Sequence, residues 1–235
     1  MHVSSEQINT EHENLINCWS TINFEKSLIQ IKKLFELINN IENNPSKDKI
    51  KDLIRKFNDT FGLKAHKNNY NLPTDPTNLC SGSFYRTSKF INIRFEQRNF
   101  INKSFKNIHI EHTIPVEEIY KQLLKFHEFN SHNELMLWLL NRSIGTAFHQ
   151  NQSNNKRFPN YYLIRNGYNS KSDVFCEKSI SFNKPFLRYV TQEKNEDIWD
   201  VLNKRLIDPN KFTLEDHKKN IIFIANKFGI ELLKK

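Results

Sequence analysis

Apolar residues recur at three- and four-residue intervals from Asn23 to Glu42, at Phe24, Leu28, Ile31, Phe35, Ile38 and Ile41. That is the stripe of an amphipathic helix. A second helix is predicted after it. Ser46 stands where an N-cap is needed, Ile50, Leu53, Ile54, Phe57 and Phe61 form its apolar face, and Gly62 is placed to end it. Residues 1–63 therefore read as a helical pair whose stripes belong to a core. The texture then changes. Residues 64–83, KAHKNNYNLPTDPTNLCSGS, contain two prolines, a glycine and many small polar residues, the marks of a long loop or hinge. Beyond it the run SFYRTSKFINIRFEQRNF alternates apolar and polar positions around Phe90, Ile91, Ile93 and Phe95, which predicts a strand.

The stretch NIHIEHTIPVEEI, residues 107–119, also reads as a strand, and it ends at Pro115, which has no amide to offer a ladder. Helical spacing resumes from Val116 to Phe129 at Ile119, Leu123 and Phe126, and NELMLWLLN is a short, more fully buried helix. SIGTAF then reads as a strand, followed by the polar run HQNQSNNKR. The C-terminal third holds candidate strands at YYLIR and DVFCEKSISF and a helix from Asn195 to Leu206. A last helix is opened by Thr213 with the Thr-x-x-Asp order of a capping box.

Charge sharpens the picture. Lys and Arg total 35 against 26 Asp and Glu in 235 residues, a net charge of +9, which suits a polyanionic partner. Arg86, Lys89, Arg94 and Arg98 stud the first predicted strand, as a basic surface touching phosphates would require; a solvated sheet face is the plainer alternative. Cys18, Cys80 and Cys176 are widely spaced and form neither a CxxC pair nor a disulfide framework. No apolar run approaches the ~20 residues of a membrane span, and the N-terminus lacks the basic-then-apolar order of a signal peptide. A soluble, cytoplasmic protein without a membrane partner is expected.

The chemistry concentrates in residues 109–112. Alternation puts His109 and Glu111 on one strand face and His112 on the other or at the strand end, where neighbouring side chains can converge on one pocket. A carboxylate is a hard oxygen ligand for a divalent cation, and a neutral imidazole is a base near physiological pH. His109 reads as a strand-surface residue, and His127 and His132 are given no role.

The run Glu111-His112-Thr113-Ile114-Pro115 resembles the first signature of the HNH, or ββα-metal, endonucleases. The resemblance implies that His112 is the general base activating water against a DNA phosphodiester and that Glu111 binds the metal. It further implies a second strand and a short helix bringing an Asn or His to the metal. NRSIGTAFHQNQSNNKR offers both, with His149 and Asn151 favoured and Asn154 and Asn155 as further candidates. Two departures stand out: about thirty residues of predicted helix lie between the two strands, and the cysteine pairs of one zinc-binding subgroup are missing.

The implied fold is α+β, with a ββα-metal (HNH) motif at residues 101–160 embedded between helical flanking regions. A helical region at 1–63 and a loop and basic strand at 64–100 precede it, and a mixed then helical region at 161–235 follows, all in one compact unit. The implied activity is metal-dependent hydrolysis of double-stranded DNA, with Mg²⁺ as the ion and Mn²⁺ as the alternative. The absence of a recognisable separate DNA-binding domain is similar to small type II restriction endonucleases. Arg86, Lys89, Arg94, Arg98, Arg142, Lys156 and Arg157 are then the candidate DNA contacts, and one site per chain implies a homodimer to cut both strands. A non-specific or structure-selective HNH nuclease and a non-catalytic basic nucleic-acid-binding protein are the alternatives.

Overall fold

The computed structural model describes residues 2–20, 24–39, 46–60, 82–94, 97–98, 108–125, 129–149, 183–189 and 197–230, with only the backbone described at 24–27, 59–60, 108–111 and 188. Helices α2 (Phe24–Asn39) and α3 (Lys47–Thr60) lie where the two stripes predict them. Ile31, Leu34 and Ile38 of α2 and Ile50, Leu53, Ile54 and Phe57 of α3 are all buried. Each such side chain contributes roughly 1.5–3 kcal/mol. The exposed Lys56–Asp52 bridge at 2.6 Å belongs to a class worth only ~0.3–0.5 kcal/mol, so packing holds this pair together.

A third helix, α1 (Ser5–Ser20), precedes them, where the sequence predicts only a pair. Ser4 and Gln7 bond reciprocally through backbone amide and side chain at 2.8 and 3.1 Å, a capping box that starts it. Its buried positions, Ile8, Glu11, Leu15, Cys18 and Trp19, keep helical spacing. The carboxylate at position 11 interrupts the apolar stripe and hides the pattern.

Helix α3 packs onto α5 (Val116–Lys125) and α2 onto α6 (His132–Arg142). Lys47 and Lys51 of α3 both donate to Glu117 of α5, at 2.7 and 2.6 Å, and these bonds pull its carboxyl down to about 2. Ser143, just past α6, bonds Asn58 of α3.

Five strands form one mixed sheet in the order β2-β3-β1-β4-β5: β1 (Tyr85–Thr87), β2 (Ile108–His112), β3 (Gly145–His149), β4 (Ile198–Asp200) and β5 (Arg205–Leu206). The β1–β3 pair is parallel and the others are antiparallel. Two sequence expectations are corrected here. The strand expected around Phe90–Phe95 lies earlier, at β1: the hydroxyl of Thr87 accepts from the Phe90 amide at 3.2 Å and turns the chain into the short helix α4 (Ser88–Ile91). Phe95 is outside the described residues. The helix expected from Asn195 to Leu206 is instead the hairpin β4–β5 over its described part. Asp200 accepts the Asn203 amide at 3.2 Å, and Lys204 takes a left-handed φ of 52°, which closes a turn and breaks a helix.

One sheet face is covered by α1, through Arg86 against Glu11, and the other by the 3-10 turn Pro185–Tyr189 and helix α7 (Leu214–Lys227). Thr213 and Asp216 form the predicted capping box at the start of α7. Tyr85 packs edge-on to Phe186 and Phe212 under this second face. Buried apolar residues from α1 to α7 form one cluster. The architecture is mixed α and β, and no helix among the described residues is long and apolar enough to cross a membrane. The candidate strands at 161–165 and 173–182 lie outside the described residues.

Candidate active site at the end of the second strand

The two strands that carry the candidate chemistry pair with each other. In the antiparallel β2–β3 ladder Ile108 stands opposite His149, His109 opposite Phe148, Ile110 opposite Ala147, Glu111 opposite Thr146 and His112 opposite Gly145. His112 is thus the last residue of its strand, half-buried, and its cross-strand neighbour has no side chain to occupy the space beside it. Immediately past it the Thr113 amide donates to the Ile144 carbonyl at 2.8 Å. Pro115 then hands the chain to α5, its carbonyl accepting from the amides of Glu118 and Ile119 at 2.9 and 3.1 Å. The proline is tolerated there because the first turn of a helix needs no amide from it.

Three hydroxyls close around this strand end. Thr113 Oγ1 lies 2.7 Å from Thr146 Oγ1, and Tyr189 Oη donates to Thr113 Oγ1 at 3.4 Å. Across the ladder, Ser83 Oγ donates to the Gly145 carbonyl at 2.6 Å. All four side chains are buried. Sequence reasoning assigned no role to Thr146 or Tyr189; the signal available was the threonine of the Glu-His-Thr-Ile-Pro run, a polar residue where a strand turns inward.

The register decides the rest of the expected ligand set. Opposite residues share a sheet face and successive residues alternate, so His112 and His149 belong to one face and Glu111 to the other. His149 is also at the far end of the ribbon from His112, about 14 Å away along it at ~3.4 Å per residue. The ladder thus sets His149 apart from Glu111 both in face and along the ribbon. Burial, and after it the charge of Lys89, hold the His149 imidazole below its ordinary pKa, so it is neutral at neutral pH. Asn151 lies outside the described residues, as do Lys156 and Arg157, and for Glu111 only the backbone is described. Among the described residues no group of three or more His, Cys, Asp and Glu side chains is arranged to hold a metal.

The basic residues divide sharply. Lys89 and Arg94 are exposed. Arg86 and Arg98 are not: both are buried and both bind the buried carboxylate of Glu11, Arg98 additionally lying 4.3 Å from the Phe90 ring centroid. Burial alone would raise the Glu11 pKa, but the two guanidinium groups outweigh it and hold the carboxyl below its ordinary value. This corrects the expectation that Arg86 and Arg98 touch DNA, since reaching a phosphate would strip Glu11 of its counter-charges inside the core. Arg142 is half-buried, stacked 4.0 Å over Trp138 and bonded to Gln122 Oε1 at 2.8 Å and the Trp138 carbonyl at 3.2 Å. Burial lowers its pKa to about 10, which leaves it charged at neutral pH.

No protein-family model matches the chain, and neither a curated protein nor a solved structure does.

Proposed function

We propose that the chain is a metal-dependent DNA endonuclease of the HNH type, and within that class a sequence-specific type II restriction endonuclease acting as a homodimer. The observation that carries the reading is the pairing of Ile108–His112 with Gly145–His149, which joins the strand ending in Glu-His-Thr-Ile-Pro to the later strand in an antiparallel ribbon. The 32 intervening residues, which include α5 and α6, do not prevent that pairing. The net charge of +9 supports a polyanionic substrate.

In this reading a phosphodiester sits across the end of β2, where the last two residues border it from the two faces. His112 takes a proton from the attacking water, and the hydroxide so formed displaces the leaving oxygen in line. Glu111 supplies a hard carboxylate donor for a cation. The completing donor comes from the chain beyond β3, where Asn151, Asn154 and Asn155 offer carboxamide oxygens of the same chemical class, a donor set that fits Mg²⁺ and also Mn²⁺. A cation bound there would stabilise negative charge on the phosphate and leaving oxygen. Lys89, Arg94 and Arg142, with Lys156 and Arg157, remain the candidate phosphate and base contacts. One such site cuts one strand, which is the reason for two copies.

The test is a plasmid digest with Mg²⁺, with and without chelator, comparing the wild type with His112→Ala and His109→Ala. Discrete chelator-sensitive fragments are expected. His112→Ala should lose ~10²–10⁴-fold in rate while duplex affinity stays close to wild type, because affinity comes from basic contacts elsewhere. A smear would point to a non-specific nuclease. No cleavage at all with intact duplex binding would leave a binding protein without catalysis, and a dead His109→Ala beside an active His112→Ala would move the base to the other histidine.

A further inference from the structure

The hydroxyl cluster behind His112 has a geometry that packing alone does not require. Thr113 and Thr146 meet at 2.7 Å between strands, with Tyr189 joining from the 3-10 turn at 3.4 Å, and all three residues are buried. Thr113 is the residue after His112, and Thr146 is the ladder partner of Glu111. The hydrogen bond therefore spans the ribbon at the two positions assigned to chemistry. It is reinforced along the backbone by the Thr113 amide on the Ile144 carbonyl and by Ser83 Oγ on the Gly145 carbonyl, the carbonyl of the residue opposite His112. A strand end is where a ladder frays. A one-residue slip there would exchange the faces of Glu111 and His112. Valine would fill the same volumes without these bonds, so the hydroxyls fix register and direction where apolar packing fixes only burial.

We propose that Thr146 and Thr113, with Tyr189 as their anchor on the opposite layer, are positioning residues that lock the end of β2 and so aim His112 at the scissile phosphate. The inference rests on the nuclease reading for its catalytic consequence, but the lock itself has a signature that needs no activity. Neither threonine touches substrate in this scheme; both act through the backbone they pin.

The experiment uses the full-length chain and its variants Thr146→Val, Thr146→Ser, Thr113→Val and Tyr189→Phe, with two readouts. The first is backbone amide hydrogen exchange, in which Thr146→Val should speed exchange over residues 108–113 and leave β4 unchanged, while Thr146→Ser stays protected. The second is single-turnover cleavage at saturating enzyme, normalised to folded protein. Thr146→Val should lose ~10–100-fold in cleavage rate with duplex affinity unchanged, since a displacement near 1 Å can cost ~10²-fold. Thr146→Ser should stay within about threefold of wild type, and Tyr189→Phe should be milder than Thr146→Val because its bond is longer. The double variant Thr113→Val/Thr146→Val separates positioning from stability. Removing both partners orphans neither threonine and costs only the long 3.4 Å bond from Tyr189, so thermal stability should recover relative to the single variants while the cleavage rate stays low. Unchanged exchange at 108–113 in Thr146→Val overturns the lock. Cleavage by Thr146→Val at the wild-type rate overturns its catalytic role, as does a rate that recovers together with stability in the double variant. A wild type that cleaves no DNA sinks the nuclease reading and the catalytic role with it, whatever the exchange shows.

Discussion

Glu11→Gln tests how the buried charges of this fold are held. The substitution keeps the shape of the side chain and removes its charge, leaving the guanidinium groups of Arg86 and Arg98, 0 % and 2 % exposed, without their carboxylate. Breaking a buried ion pair by removing one partner costs about 3–5 kcal/mol. One carboxylate serves both arginines, so the two pairs do not add, and the carboxamide oxygen still accepts a hydrogen bond, which places the cost near ~3 kcal/mol. At about 2–4 °C per kcal/mol for a chain of this size, the melting temperature should fall by roughly 6–12 °C. Thermal unfolding followed by circular dichroism at neutral pH measures it.

A pH series supplies the internal check. Because the folded carboxyl is held below its unfolded value of 4.5, its stabilisation is fully present above that value and is lost as the pH falls through the folded pKa. The gap between wild type and variant should therefore close on acidification. Below the melting transition the variant should bind duplex DNA as the wild type does, since the arginines it disturbs face inward. A fall of less than about 2 °C at neutral pH, under ~1 kcal/mol by the same scale, would refute the buried triad as a main support of this sheet face, and a selective loss of DNA affinity in folded protein would return Arg86 and Arg98 to the binding surface.

Lys89→Ala with Arg94→Ala should weaken duplex binding uniformly across sequences and flatten the dependence of log affinity on log salt by about two, one for each phosphate no longer neutralised; an unchanged slope would remove both residues from the interface. His217 of α7 donates through Nε2 to the Leu140 carbonyl at 3.1 Å, so its Nδ1 accepts from Tyr85 Oη at 2.8 Å, and burial lowers its pKa to about 4. The folded value lies below the ordinary 6.5, so this stabilisation is present above pH 6.5 and lost as the pH falls from there towards 4, by roughly 3 kcal/mol at about 1.36 kcal/mol per unit. Urea unfolding from pH 7 to 4 should show that loss in the wild type and a shallower one in His217→Gln, and parallel curves would count against a neutral buried imidazole.

Helices α2, α3, α5, α6 and α7 were legible in the chain because a one-sided apolar stripe and a cap are local properties, readable within a dozen residues. The Thr213–Asp216 box and the break at Pro115 belong to the same class. The strand ending in Glu111 and His112 and the strand at Gly145–His149 were legible too, since each is a short run bounded by turn residues. Nothing local said which strands pair. Long-range contact decided that β4 and β5 are a hairpin and not a helix, because β4 finds the free edge of β1 more than a hundred residues earlier in the chain. The same kind of contact decided which arginines are surface. Arg86 and Arg98 look like Lys89 and Arg94 in sequence, but a carboxylate 75 and 87 residues away on α1 draws them into the core. Register, finally, separated His149 from Glu111, since the face a residue takes depends on its partner's position in the ladder, which no periodicity within one strand encodes.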